Sequence, residues 1–369
     1  MKALRISAST LKILAGIVFL FSAVAKFVTI DAFEMYIYSF GLFPMVMCFY
    51  LARIVLALEL ILGASLISHR NHRFTVLMAL LFLICFIVFL TYAHLVGRTD
   101  NCHCFGDLIP FNPVQSIFKN AILVLALVYI FKFAPQDWHP RWWLVVLIYI
   151  ATGVLFYFYM TRIHHVLDLL AMVMMFAMLC VGVLASMSFY NKWYVTTALI
   201  LTPIVTTFTL TPPDSWFYTG NDERYDAELF RQQITAVDES IQDSVAAPEL
   251  SNLGLDRGRQ IVAFFSPKCG YCRLAAEKIA TIVDRYNLDS ENITYIFPEV
   301  RDSASYDLFY EDSRSPRFNE VHIDKELFIH ITRAAFPIVL LVEDGETTAS
   351  YAYRNINEGA IRSFLEVKH

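Results

Sequence analysis

Charge is scarce in this chain, and positive charge is scarcer than negative. Asp, Glu, Lys and Arg together make up 17% of the 369 residues, and 29 Lys and Arg face 34 acids, leaving a formal net charge of −5. With a pI near 6.1 the chain has no basic surface of the kind nucleic acid requires, so nucleic acid is set aside as a partner. No small-residue cleavage pattern follows the basic and apolar stretch from Met1 to Phe27, which therefore reads as a first membrane span. Nor does a second Cys or His pair stand at metal-ligand spacing beside Cys269 and Cys272, which leaves half of a zinc site without its other half.

Apolar residues are plentiful, at 57% of the chain, and the mean hydropathy of +0.51 places much of it in lipid. The long apolar runs all precede Pro212, whereas most acidic residues follow it. At about 20 apolar residues per crossing, seven spans are expected, at 9–28, 45–68, 74–96, 114–133, 142–160, 166–189 and 193–211. Lys2, Arg5 and Lys12, then Arg70 and Arg73, then Lys132 and Arg141, and finally Lys192 all fall on one side, which the positive-inside tendency makes cytoplasmic. The loop between the third and fourth spans and the whole C-terminal part then share the periplasmic side of a cytoplasmic membrane. The expected organisation is a four-span unit at 1–135, three further helices at 136–211, a spacer at 212–250 with a helix at 222–241, and an α/β domain at 251–369.

Seven cysteines are present. Cys48, Cys85 and Cys180 stand singly in apolar runs and read as small hydrophobes. The information lies in two close pairs, Cys102/Cys104 and Cys269/Cys272.

From residue 251 onward strands and helices alternate. Apolar runs at 261–265, 293–297, 338–342 and 348–353 read as strands, and Asp344-Gly345 marks a hairpin turn. Ala275, Ile279, Ile282 and Val283 recur at helical spacing after Cys269-Gly270-Tyr271-Cys272, and a last helix fits 358–367. This order resembles the thioredoxin fold. A sulfur at a helix N-terminus is favoured as thiolate, so Cys269 is the expected nucleophile, aided by Lys268, and Cys272 the resolving thiol. The resemblance implies a cis-proline facing the pair, for which Pro337 is the candidate, lining a groove for an extended peptide. Zinc and a purely structural bridge are the competing readings, the latter weak because the loop it would close is so small. The stretch from 298 to 336 exceeds what a minimal thioredoxin requires; it reads as a solvated insertion followed by a helix at 324–333.

The first four spans carry Phe21-Ser22-Ala23-Val24-Ala25-Lys26-Phe27, a segment from Tyr36 to Gly41, and Cys102-His103-Cys104-Phe105-Gly106-Asp107. On these motifs, the last above all, the region resembles the MauE/DoxX-like membrane family. MauE itself implies maturation of a disulfide-rich subunit of methylamine dehydrogenase; what carries over is a disulfide-related membrane partner. A one-residue spacing permits a strained, easily reduced disulfide between Cys102 and Cys104. A Cys-His-Cys metal site and two ordinary thiols are the alternatives. Among ionisable groups in spans, Lys26, Arg53 and His94 fall near the depth of this loop, where they would frame a quinone headgroup or steady a thiolate; Lys26 and Arg53 could equally snorkel to the interface. Glu59, about 9 Å deeper than Arg53 at 1.5 Å per residue, is expected to pair within the bundle. The leading reading is a membrane thiol–disulfide oxidoreductase that relays electrons between the two pairs, in contact with cysteine-containing periplasmic clients and a quinone. The alternative is a carrier or maturation scaffold whose C-terminal domain only binds clients.

Overall fold

The computed structural model describes residues 2–68, 72–107, 109–134, 142–158, 193–235, 255 and 257–366. The chain divides into two compact units, one formed by Met1–Tyr36 and Met47–Pro213, the other by Ile37–Val46 and Asp214–His369.

Four helices of the first unit are long and apolar enough to cross a membrane: α1 (Lys2–Val28), α3 (Met45–Ser68), α4 (His72–Leu95) and α5 (Pro113–Phe133). A shorter helix, α2 (Ile30–Tyr38), follows α1, and a brief extended segment, β1 (Cys104–Asp107), precedes α5. Phe19 of α1, Leu62 and Leu66 of α3, Leu83 of α4 and Leu127 of α5 share one buried cluster, so the four long helices close around a common core. Close approach of α1 and α3 depends on two glycines: a Cβ on Gly16 or on Gly63 would sit 2.9 Å from the other's carbonyl oxygen. The start of α5 is written locally. Pro113 occupies its first turn, where no N–H is needed, and Asn112 and Gln115 cap each other's backbone amides at 2.8 and 3.1 Å.

Of the seven expected spans, the described residues contain these four. Two further apolar helices, α6 (Trp142–Phe158) and α7 (Trp193–Leu210), lie at the positions of the expected fifth and seventh spans over their described residues. The expected sixth, at 166–189, lies outside the described residues, as do Arg70, Arg141 and Lys192 of the sidedness argument.

The second unit is built on a five-stranded sheet of β2 (Arg259–Phe264), β3 (Ile293–Pro298), β4 (Asn319–Ile323), β5 (Ile338–Glu343) and β6 (Glu346–Tyr351), in spatial order β4-β3-β2-β5-β6. β2, β3 and β4 run parallel, while β5 is antiparallel to both β2 and β6. The β5–β6 hairpin turns at Asp344 and Gly345, whose φ values of +50° and +83° are those a two-residue turn between twisted strands demands. Helix α10 (Gly270–Tyr286) follows β2 directly; α12 (Lys325–Thr332) precedes β5 and α13 (Glu358–Glu366) ends the domain. This strand, Cys-x-x-Cys helix, strand, helix, proline, hairpin and helix order is that of a thioredoxin-like domain.

Two expectations are corrected here. The region 298–336 is not merely a solvated insertion: it holds α11 (Ala304–Ser313) and the edge strand β4, paired in register with β3 from Thr294↔Asn319 to Pro298↔Ile323. Its charges conceal an apolar stripe of Tyr306, Phe309 and Tyr310, all buried, with Phe309 5.0 Å from the Phe297 ring. The segment 212–250, read as a spacer, is built into the domain as far as it is described. It carries α8 (Asp214–Phe217) and α9 (Ala227–Thr235), and Phe230 and Ile234 of α9 lie in the same core as Phe264, Phe328 and Leu340. The helix expected at 222–241 is thus shorter at its start, and its end falls outside the described residues.

Candidate functional site

In the second unit the register places Cys269 and Cys272. Phe264, the last residue of β2, lies opposite Ile338, the first of β5. The turn Ser266–Cys269 leaving one strand and Pro337 entering the other therefore sit at the same end of the sheet. The Phe336–Pro337 peptide is cis. Cys269 caps α10 from outside, with its backbone extended at φ −87° and ψ 119°, while Cys272 sits within the first turn. Cys269 is half-buried, Cys272 buried, and both are free thiols.

Their environments pull the two thiols apart. The Cys269 thiol is lowered from its ordinary range to about 6, first by the hydrogen bond from Cys272, then by the backbone N–H groups of Cys272 and Tyr271 and the Arg273 guanidinium, against the cost of desolvation. Burial pushes the Cys272 thiol well up, and the neighbouring Cys269 adds to it. The thiolate is thereby favoured at Cys269 and the protonated thiol at Cys272. The expected helper Lys268 is exposed, and the cation that acts on Cys269 is Arg273, anchored by the Pro267 carbonyl at 3.2 Å and Asp312 at 2.7 Å.

In the first unit a disulfide joins Cys102 and Cys104, with Cα atoms 5.4 Å apart. The loop around it is fixed from several sides. Cys102 N–H donates to the Phe111 carbonyl at 2.9 Å, and Asn101 Nδ2 donates to the Gly106 carbonyl at 3.1 Å. Gly106, at φ +58°, lies so near α1 that a Cβ would come within 2.7 Å of the Ala25 carbonyl oxygen. Ser116, in the first turn of α5, has its Oγ 2.9 Å from Cys102 Sγ.

Beneath the loop lies a buried cation. Lys26 is 1% exposed, and its three ammonium hydrogens go to Glu59 at 2.8 Å, Ser22 Oγ at 2.7 Å and the Cys104 carbonyl at 2.8 Å. Ser22 Oγ lies 2.9 Å from the same carbonyl and 3.0 Å from Glu59; its single proton serves one of them at a time. Glu59 does pair within the bundle, as its depth implied, and Lys26 is its partner.

Of the residues expected around this pair, the structure brings in Lys26 alone. Lys26 and Arg53 do not snorkel: Arg53 is fully buried, bound to Glu34 and to the carbonyls of Phe49, Thr211 and Pro212. His94 lies exposed in the last turn of α4. Sequence reasoning missed Ser22, Ser116, Lys119 and Asn120. The last three recur at α5 positions i, i+3 and i+4, a helical face that was legible once the loop before it was singled out.

Alkylation of the reduced protein should report the Cys269 environment. The rate at Cys269 is expected to fall as pH drops through about 6, where the thiolate takes up its proton, and to level off above it. A midpoint near about 8.5, that of an ordinary thiol, would contradict the assignment. In the first unit, Lys26→Met strands a buried carboxylate and is expected to lower stability by about 3–5 kcal/mol, with most of it regained in Lys26→Met/Glu59→Leu. Thermal unfolding in detergent distinguishes the variants, and equal losses in the single and double variants would refute the pairing.

Residues 4–133 match the family described as methylamine utilisation protein MauE. Protein TlpB of Flavobacterium psychrophilum is 24% identical over 334 residues, covering 82% of this chain and 79% of that protein. A solution structure of a thiol:disulfide interchange protein from Bacteroides sp. aligns to 31% of this chain and 76% of its own, with 16% identity and a TM-score of 0.25. The assignment of the C-terminal fold rests on the sheet order and register above. The chain is a membrane protein whose residues 4–133 are similar to the MauE family and are followed by a C-terminal thioredoxin-like domain.

Proposed function

We propose that this protein is a membrane thiol–disulfide oxidoreductase in which Cys269/Cys272 and Cys102/Cys104 exchange electrons on the periplasmic side of a cytoplasmic membrane, with a quinone as the electron partner of the second pair. The observation that carries the reading is the coexistence of two cysteine pairs in complementary condition. Cys269 and Cys272 are free thiols with opposed acidities, and Cys102 and Cys104 form a disulfide across a single intervening residue.

In the exchange, the Cys269 thiolate attacks one sulfur of the Cys102–Cys104 bridge, forming a mixed disulfide and releasing the other sulfur as a thiolate. Cys272 then gives up its proton, attacks the Cys269 sulfur and frees the second thiol. One disulfide and one dithiol have changed places, so the balance of the step is complete without a further reagent. The same chemistry, run against a cysteine-containing client protein, loads or unloads the C-terminal pair. Because Cys102 and Cys104 are buried, attack requires the loop that carries them to lift. The hydrogen bonds from Lys26 and Ser22 to the Cys104 carbonyl set the cost of that movement.

A carrier or scaffold whose C-terminal domain only holds clients, as for maturation of a methylamine dehydrogenase-type protein, needs neither cysteine of the membrane pair. Thiol trapping after addition of quinone or quinol to purified wild type, Cys102→Ser and Cys104→Ser separates the two. Cys269/Cys272 is expected to change redox state only where both membrane cysteines are intact; an equal response in all three proteins refutes the relay.

A further inference from the structure

Opening the Cys102–Cys104 bridge is directional: a thiolate bonds to one sulfur, and the other leaves with the electron pair. The sulfur that leaves faster is the one whose negative charge is better met. On the Cys102 side, Ser116 Oγ lies 2.9 Å from Sγ. A bridged sulfur carries no hydrogen, so the hydroxyl is the donor of this contact. Ser116 is fully buried, which strengthens the bond and leaves no water to compete for its hydrogen. It stands in the first turn of α5, at the positive end of the helix dipole. The bond from the Cys102 N–H to the Phe111 carbonyl, at 2.9 Å, keeps Cys102 beside it.

Cys104 is held differently. Its carbonyl faces Lys26 Nζ at 2.8 Å and Ser22 Oγ at 2.9 Å, and among the described residues no hydrogen-bond donor meets its sulfur. The Lys26 charge is offset by Glu59 at 2.8 Å, so it offers little to a thiolate on Cys104. We propose that Ser116 sets the polarity of the bridge: its hydroxyl makes Cys102 the leaving sulfur, and the incoming thiolate bonds to Cys104. The inference takes the identity of that thiolate, Cys269, from the relay reading; the polarity itself holds for any attacking thiol. The movement of the loop is confined accordingly. Releasing the two contacts at its carbonyl brings Cys104 up, while Cys102 stays against α5.

In the exchange, the Cys269–Cys104 bond forms as the Cys102–Cys104 bond breaks. The electron pair goes to Cys102 Sγ, where the Ser116 O–H donates to the new thiolate. Cys272 then attacks Cys269, and its proton passes to the departing Cys104 sulfur. The charge that began on Cys269 ends on Cys102, and one disulfide has replaced the other with no further oxidant or reductant. Run in reverse, the same path makes Cys104 the sulfur that joins Cys269 and Cys102 the one that resolves the mixed disulfide. Ser116 touches a reacting atom in both directions.

The test is opening of the bridge by 2-mercaptoethanol in full-length Cys269→Ser/Cys272→Ser protein in nanodiscs. The reaction is quenched at short times with N-ethylmaleimide, and the adducts are located by tandem mass spectrometry of non-reduced peptides. Mercaptoethanol is expected on Cys104 and maleimide on Cys102, in about tenfold excess over the reverse, the worth of one hydrogen bond to a charged sulfur. Ser116→Ala in the same background should slow opening about tenfold and erase the preference, whereas Ser116→Thr, which keeps the hydroxyl, retains both. A side chain that served packing alone would change the rate without moving the ratio. Mercaptoethanol mainly on Cys102, an even split with Ser116 intact, or a preference for Cys104 that survives Ser116→Ala overturns the proposal; the first two outcomes decide it even where a Ser116 variant fails to fold. Cys272→Ser protein with the bridge intact then separates the two readings. Cys269 joined to Cys104 supports both, and Cys269 joined to Cys102 overturns the polarity. Mercaptoethanol on Cys104 with no bond from Cys269 to either sulfur leaves the polarity standing and removes the relay.

Discussion

A lysine ammonium sealed inside a helical bundle must find partners for all three of its hydrogens, and Lys26 finds them in Glu59, Ser22 and the backbone carbonyl of Cys104. The first fixes α1 against α3, the second lies within α1, and the third ties the loop between α4 and α5 down onto α1. Breaking any one leaves charge or a lone pair unmet in a medium with no water to replace it. The arrangement of the membrane domain around its disulfide follows from this single cation. The glycines complete it: Gly16 and Gly63 let α1 and α3 approach, and Gly106 lets the loop lie against the α1 backbone.

The thioredoxin-like domain meets a different constraint, that of making one sulfur reactive while keeping its neighbour quiet. It does so with depth. Cys269, outside the first turn of α10, is met by backbone N–H groups and by Arg273, whereas Cys272, one turn in, is surrounded by protein. The sheet delivers both to the same end as the cis Phe336–Pro337 peptide, because β2 and β5 are paired from Phe264↔Ile338 onward. The aromatic cluster of Phe265, Tyr295, Phe297 and Phe309 then backs the sheet on the side where α11 packs.

Much of this was legible in the sequence wherever periodicity and turn chemistry spoke together. Cys-Gly-Tyr-Cys between a strand and a helical repeat, Asp344-Gly345 between two apolar runs, and a proline ahead of the Ile338 strand each carry a local physical signal, and the structure places the corresponding elements within a residue or two of where they were read. The edge strand β4 was hidden because its buried positions, Val321 and Ile323, are only two and stand among charges, and α11 because its aromatic stripe is brief. The Lys26 site was half visible. An ionisable residue in a span announces itself, but its partner depends on which helices adjoin, and no periodicity reveals that. Arg53 illustrates the limit: depth alone put it beside Lys26, while the fold gave it Glu34 and the carbonyls after α7. Ser116 was invisible for the opposite reason, since one hydroxyl in the first turn of a helix reads as ordinary until its Oγ is found against Cys102 Sγ.

The account stands or falls on direct chemistry between the two cysteine pairs, and the most direct view of it is the covalent intermediate. Replacing Cys272 and one membrane cysteine by serine removes both resolving thiols, so that any bond formed between Cys269 and the remaining cysteine persists. After addition of diamide, which takes up the two electrons and two protons that the two thiols lose on joining, non-reducing proteolysis and mass spectrometry of Cys272→Ser/Cys102→Ser and Cys272→Ser/Cys104→Ser should yield, in at least one of them, a peptide pair bridged from Cys269 to the membrane loop. If Cys269 forms mixed disulfides with added client proteins in both variants and with Cys102 or Cys104 in neither, the two pairs do not exchange electrons and the relay is wrong.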